Sequence, residues 1–419
     1  MAGDGAAAAV DRLFRHEAGR MVARLTRLLG PRRFDLAEEA VQEALCSALQ
    51  SWPFHGIPDH PAAWLMRAAR NRAIDRLRRE RRFREVEAAL AGEPADLAPT
   101  AAPAGPLHDD RLALMFSCCH PRLAVEARLA LVLKALCGVS LGEIAAAFFA
   151  GAATIEKRVT RAKSTLKRAT SLFDLDDRAH VEARLGAVHH ALYLLFSEGY
   201  HSLRADAPVR AELCHEAIRL ARLLAGDAAT RTPATEALLA LMHFGLARLA
   251  GRVDEDGVFL PLVGQDRARW DAGLVALGFR HLDAAAAGTE LSRYHLEAAI
   301  AAEHCRAASV AQTDWPAILR LYDLLCARFP GPIAAFNRAI ALGEVEGPAA
   351  GLAALQAMAA EETLRPYPFF HAALGETRLR LGELAAAAAA FGRARDCARS
   401  PAEQRFYARR LHRIDGAEP

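Results

Sequence analysis

No stretch of this chain approaches the roughly 20 uninterrupted apolar residues that a membrane-spanning helix needs. The opening Met1–Val10 has no basic segment leading into an apolar one, so neither a membrane protein nor an exported one is expected and the place of work is expected to be the cytoplasm. Cysteines are few, eight in 419 residues. Cys46, Cys137, Cys214 and Cys326 fall in apolar helical contexts, which suits reduced thiols packed as small hydrophobes rather than disulfides. The one dense cluster of ligand-type residues, Cys118-Cys119-His120, has no CxxC or HxxxC partner nearby, and neighbours on a helix point apart. Core packing at a helix end is its reading, and no metal or cofactor is expected. A phosphate loop is missing too, as is an arranged nucleophile and base, so catalysis is not expected. Aromatic residues make up only 7%. Ala, Leu and Arg outnumber the β-branched and aromatic types, which is the composition of helices. An all-α protein follows, too long for a single core and so built from two or three packed units.

What is present is unevenly placed. Residues 1–170 carry 26 Lys and Arg against 19 Asp and Glu, while the whole chain has a net charge of only +3. The front is basic and the back slightly acidic, which points to a polyanion partner for the front alone. Between Glu85 and Asp110 lie Pro94, Pro99, Pro103 and Pro106, six acidic residues and no Lys or Arg. Such a segment, taken as a linker over 85–107, is either a solvated tether or an acidic strand that occupies a positively charged channel in a partner.

The first module is expected over 8–84. Gly30-Pro31 separates a helix near Asp11–Leu29 from one near Asp35–Ser51. In the second, Leu36, Ala40, Val41, Ala44, Leu45 and Ala48 form an apolar stripe, and Asp35, Glu38, Glu39, Gln42 and Glu43 form an acidic and polar face that is either solvated or presented to a partner. After a loop from Trp52 to Pro61 comes a third helix, Ala62 to about Arg84, with nine arginines between Arg67 and Arg84. A merely solvated helix mixes its signs; this one has only Asp75 and Glu80 as counterweights, and Asp75 with Arg76 reads as a possible structural pair. Trp64 begins the apolar side, where it is either a core residue or a stacking platform for bases.

The second module is expected over 108–170. Arg111–Phe116 and Val125–Cys137 have helical periodicity, and Gly138 closes the second. The text VSLGEIAAAFFAGAATIEKRVTRAKSTLKRA then divides into a helix Leu141–Phe149, a turn Ala150–Ala152 and a helix Ala153–Arg168, a helix-turn-helix. Ser140 and Glu143 have capping-box spacing; Ile144, Ala145 and Phe148 face inward, with Ile155, Val159 and Ala162 forming the stripe of the last helix. Its N-terminal turns carry Thr154, Glu156, Lys157 and Arg158, placed as base readers, and Arg161, Lys163 and Lys167 are placed to hold phosphates.

These segments carry a resemblance. DxAEExVQEAxxxAxxxW at Asp35–Trp52 and PxAWLxRxARNRAIDRLRR at Pro61–Arg79 resemble region two of extracytoplasmic-function sigma factors of the sigma-70 family, and SLGEIAxxF…AATIEKRVTRAKSTLKR resembles region four. The resemblance implies that Asp35, Glu38, Glu39, Gln42 and Glu43 dock on the β′ clamp helices of core RNA polymerase, with the β flap as a further contact. It also implies that Arg67, Arg70, Asn71, Arg72, Asp75, Arg76, Arg78 and Arg79 meet the −10 promoter element, while the helix-turn-helix meets the −35 element. A non-catalytic initiation subunit is then expected, its linker lying near the polymerase active-site and RNA-exit path.

Residues 171–419 repeat helical segments: Val181–Phe196, Ala211–Leu224, Thr235–Leu249, Tyr294–Ala308, Trp315–Phe329 and Ile333–Leu342. Phe336–Met358 and Phe369–Ala398 both carry the aromatic, small and Gly positions of a tetratricopeptide-like helix pair. This half resembles the extension of a subgroup of these sigma factors, including Ser197–Tyr200 (SEGY) and Gln265–Asp271 (QDRxxWD). The cluster Asp266, Arg267, Arg269 and Asp271 reads as a structural network. The half as a whole is either a scaffold or a regulatory surface for a protein or ligand.

Overall fold

The computed structural model describes residues 2–30, 33–91, 109–120, 122–147, 150–168, 178–200, 211–252, 254–256, 258–398 and 400–416. Among them all regular structure is helical, and no helix is long and apolar enough to cross a membrane. The predicted stretch 92–107, Phe148 and the side chains of Glu143 and Lys167 lie outside what is described. Two compact units result, residues 1–195 with 226–230, and residues 196–225 with 231–419. The division falls inside a helix, Arg178–Tyr200.

In the first unit α1 (Ala2–Leu29), α2 (Phe34–His55) and α3 (Pro61–Ala91) pack on one another. The whole predicted stripe of α2 is buried, joined by Ala37 and Trp52. Gly30 ends α1 with φ +82°, where a side chain is strained. Two boundaries differ from expectation. α2 runs through Pro53 to His55, closed by Gly56 N–H on Trp52 O at 3.0 Å, because the buried Trp52 anchors its last turn. α3 runs past Arg84 to Ala91, since Glu85-Val-Glu-Ala-Ala-Leu-Ala holds no proline and good helix formers.

α1 also meets α4 (Asp110–Cys118), and α5 (Val125–Ala135), α6 (Leu141–Ala147) and α7 (Ala152–Arg168) pack together. Asp109 caps α4 by accepting from Arg111 N–H at 2.7 Å. Partial burial would raise the Asp109 carboxyl, but Arg111 outweighs it and holds it below the usual range. Arg27 ties α1 to Asp110 at 2.7 Å. Gly19 lets α1 approach the end of α5 closely: a Cβ there would stand 2.4 Å from Leu136 O. Ile144, Ala145, Ile155, Val159 and Ala162 are buried, as their spacing predicts. Cys118 and Cys119 are buried at the end of α4, and burial pushes the Cys119 thiol up to about 12.

α8 (Arg178–Tyr200) leads into the second unit, whose helices are α9 (Ala211–Gly226), α10 (Pro233–Ala247), α11 (Ala272–Ala285), α12 (Arg293–Arg306), α13 (Trp315–Arg328), α14 (Pro332–Val345), α15 (Pro348–Ala357), α16 (Pro368–Arg380), α17 (Leu384–Asp396) and α18 (Pro401–Asp415). Several start on a side-chain cap followed by proline, as at Thr232-Pro233 and Ser400-Pro401, and from α12 onward each packs on the next. Where α14 crosses α15, a Cβ on Gly351 would lie 2.8 Å from Gly343 Cα, and Gly375 of α16 faces the Phe391 ring of α17. These glycines admit the close packing of the two late helix pairs. The QDRxxWD segment is a structural tie. Arg267 donates to His304 O at 2.8 Å, Ala307 O at 2.7 Å and Thr313 Oγ1 at 2.8 Å, and Asp271 caps α11 through Leu274 N–H at 2.9 Å.

Candidate nucleic-acid interface

α2 and α3 meet along a charged seam. Glu39, Glu43 and Ser47 recur every four residues on α2, and Arg72 and Arg76 do so on α3, so matching faces oppose each other. Arg72 donates to Glu43 at 3.1 Å and to Ser47; Arg76 pairs with Glu39 and, at 3.5 Å, with Glu43. Arg33 pairs with Glu80. The expected Asp75–Arg76 pair does not form: Asp75 faces Arg78 at 3.7 Å, one turn along α3, because Arg76 points toward α2. Arg79 Nε reaches Asp75 O at 3.4 Å.

Beyond the seam, Arg67, Arg70 and Asn71 are exposed on α3, and neither Arg67 nor Arg70 has an ion-pair partner among the described residues. An open groove of about 500 Å³ runs beside them, lined by Glu43, Asn71, Arg72, Asp75, Arg76 and Arg79. Trp64 is half-buried and packs edge-on against Trp52, centroids 5.6 Å apart. That arrangement serves the core at the root of α3, leaving little of the ring for a base. The exposed aromatic here is one the sequence reading passed over: Phe54, 84% exposed at the end of α2, with Leu49 and Ile57 also exposed. An aromatic flanked by Pro53, in a segment leading into a basic helix, was the available signal.

α7 presents Thr154, Glu156, Lys157 and Arg161 outward and Arg158 half-exposed, over a stripe of Ile155, Val159, Ala162 and Leu166 that is buried. Lys163 departs from its expected role as an open phosphate holder. Its ammonium lies on Glu38 and, at 3.3 Å, on Asp35, and over the Phe34 ring at 5.3 Å. Burial alone would depress the Lys163 pKa, but Glu38 and then Asp35 outweigh it and the net shift is upward. Glu38 is correspondingly buried, whereas Glu39, Gln42 and Glu43 remain exposed. The acidic face of α2 is therefore partly engaged by cations of the same chain.

An all-helical unit that lines up free arginines beside a groove and holds a second basic helix belongs among proteins that handle nucleic acid. Comparison with known proteins makes the class particular. Residues 13–83 match sigma-70 region 2, and residues 184–286 match a family of unknown function, DUF6596. An uncharacterized protein of Rhizobium meliloti (strain 1021) is 37% identical over 395 residues, 93% of this chain and 92% of that protein. No solved structure matches the chain. The chain belongs to the sigma-70 family: it is a sigma factor, which recognises promoters and binds RNA polymerase, and its second half is compatible with the extracytoplasmic-function subgroup that carries an extension.

Proposed function

We propose that this sigma factor directs initiation through two DNA contacts and one main protein contact. Arg67, Arg70, Asn71, Arg78 and Arg79 of α3, joined by Arg72 and Arg76 as they leave the seam, hold the −10 element. Phe54 offers an open ring on which an unpaired base stacks. Thr154, Glu156, Lys157, Arg158 and Arg161 of α7 enter the major groove of the −35 element as the second helix of a helix-turn-helix, with Lys167 behind them. Asp35, Glu38, Glu39, Gln42 and Glu43 face the β′ clamp helices. Residues 171–419 act as a tetratricopeptide-like regulatory extension, and the site of action is the cytoplasm.

The observation that carries this reading is the pair of arginines Arg67 and Arg70, exposed and without an ion pair among the described residues, on a helix where Arg72, Arg76 and Arg78 are each held by a carboxylate. Unpaired cations gathered on one exposed face of a helix favour a polyphosphate, since a solvated helix gains from mixed signs. Run-off transcription with purified core polymerase tests it. The full chain is expected to give defined start sites from a promoter library, and the Arg67→Gln, Arg70→Gln double variant to lose them while still binding core. No start sites with the unaltered chain would overturn the reading.

A further inference from the structure

The second unit contains a cavity of about 620 Å³ between the loop that follows α10 and helices α12, α13, α14, α15, α16 and α18. That volume lies in the range of small-molecule sites, roughly 300–1,000 Å³. One wall is a continuous run of rings: Phe336 meets Tyr367 at 5.8 Å, Tyr367 meets Phe369 at 5.3 Å, and Phe259 meets Phe369 at 5.6 Å and Phe406 at 6.1 Å. The opposite chemistry is cationic. Arg248 and Arg252 both line the space, and neither forms an ion pair among the described residues. Arg252 is 5% exposed, stacked on Tyr200 at 3.8 Å and donating to Tyr200 O. The cavity's own acids are already answered: Glu376 by Arg410 at 2.6 Å and Glu344 by Arg380.

Buried polar atoms on the lining also lack partners. Tyr407 Oη, on a side chain 1% exposed, has none, nor do His304 Nδ1, Gln265 Oε1 and Arg248 Nε. Burial, and then the Arg248 and Arg267 charges, hold the His304 imidazole neutral, with its pKa down at about 3. The Glu403 carboxylate acts on Arg252 only at a distance; a buried guanidinium with no ion pair and orphaned polar groups each cost free energy, and a bound anion relieves both at once.

We propose that this cavity is a binding site for one small organic anion. Its flat apolar body lies on the aromatic wall, its carboxylate- or sulfonate-type head rests on Arg248 and Arg252, and Tyr407, His304 and Gln265 serve its remaining polar atoms. This goes beyond the promoter reading and does not depend on it, because binding is measured without polymerase or DNA.

Anilinonaphthalenesulfonate and phenylnaphthylamine, nearly the same aromatic body with and without the anionic head, separate charge recognition from greasiness when titrated into the full chain by fluorescence. The sulfonate is expected to bind at one saturable site about tenfold or more tighter than the neutral probe. Arg248→Gln is expected to remove that advantage while leaving the neutral probe's affinity and the thermal midpoint of the free protein unchanged. Arg252→Gln should remove it as well, with circular dichroism confirming that the helices persist. Equal affinity for the two probes, no saturable sulfonate site, or a sulfonate affinity that survives Arg248→Gln in a folded protein would each overturn the proposal.

Discussion

Arginines of one helix differ by what they touch. Among the described residues Arg67 and Arg70 have no ion-pair partner, whereas Arg72 already donates to Glu43 and Ser47. Neutralising a free cation removes one phosphate contact outright; neutralising Arg72 removes a contact that had first to be exchanged for a carboxylate. In holoenzyme binding to promoter DNA, Arg67→Gln and Arg70→Gln should each reduce the slope of log affinity against log salt by about 0.7–0.9. Arg72→Gln should reduce it by less. Anisotropy titrations between low and moderate salt measure all three, and equal slopes for the three variants would show that the intramolecular partners do not matter.

Between elements, the decisive contact is Lys163 of α7 on Glu38 and Asp35 of α2, because it covers two of the carboxylates assigned to polymerase docking. Lys163→Met keeps the apolar stem and removes the charge. Glu38 is then buried without a cation, at a cost of about 1–3 kcal/mol in stability, less than for a fully enclosed pair because both side chains keep some water. The same change frees the acidic face, so binding to core polymerase should tighten even as the melting temperature falls. A variant that melts earlier but binds core no better would confine Lys163 to a structural role.

What could be read in advance at this scale depended on contrast. The α2 stripe is set against acidic residues and was legible except for Ala37 and Trp52, as was that of α7 except for Leu166. Ala73, buried in α3, went unread among arginines. α11 and α18 were missed. The first has little polar contrast, and in the second a run such as Arg-Arg-Leu-His-Arg hides a single buried face that includes Tyr407 and Ile414. The poly-alanine run of α17 buries Ala387 and Ala390, which hydropathy cannot tell from their more exposed neighbours. The pairing of Glu39, Glu43 and Ser47 with Arg72 and Arg76 went unread, because spacing along one helix does not say which face of another it meets. The ring-lined cavity was not legible either, since its walls come from segments between Tyr200 and Tyr407 that only the fold brings together.

For the molecule as a whole, buried histidines set the acid side of stability. Burial lowers His189 and His243 to about 4, and His304 stands at about 3. At pH 5 the folded chain leaves all three neutral, whereas the unfolded chain protonates them below about 6.5. The unfolded state thus binds more protons, and unfolding free energy falls by about 1–2 kcal/mol per histidine between pH 7 and pH 5. The alkaline side is set by thiols that burial raises, Cys119 and Cys214 to about 12 and Cys305 to about 11. There the folded state keeps protons that the unfolded one releases above about 9, so stability falls again. Thermal melts from pH 5 to pH 10 should trace a dome, and a flat melting temperature between pH 7 and pH 5 would contradict the assignment.

The seam between α2 and α3 ties two affinities into one quantity. Glu39 and Glu43 neutralise arginines assigned to the promoter and also belong to the surface assigned to polymerase. DNA phosphates that draw Arg72 and Arg76 away leave those carboxylates bare for the enzyme, and an enzyme that claims the carboxylates leaves the arginines bare for DNA. Whatever factor one partner's arrival adds to the other's hold is returned undiminished in the opposite direction.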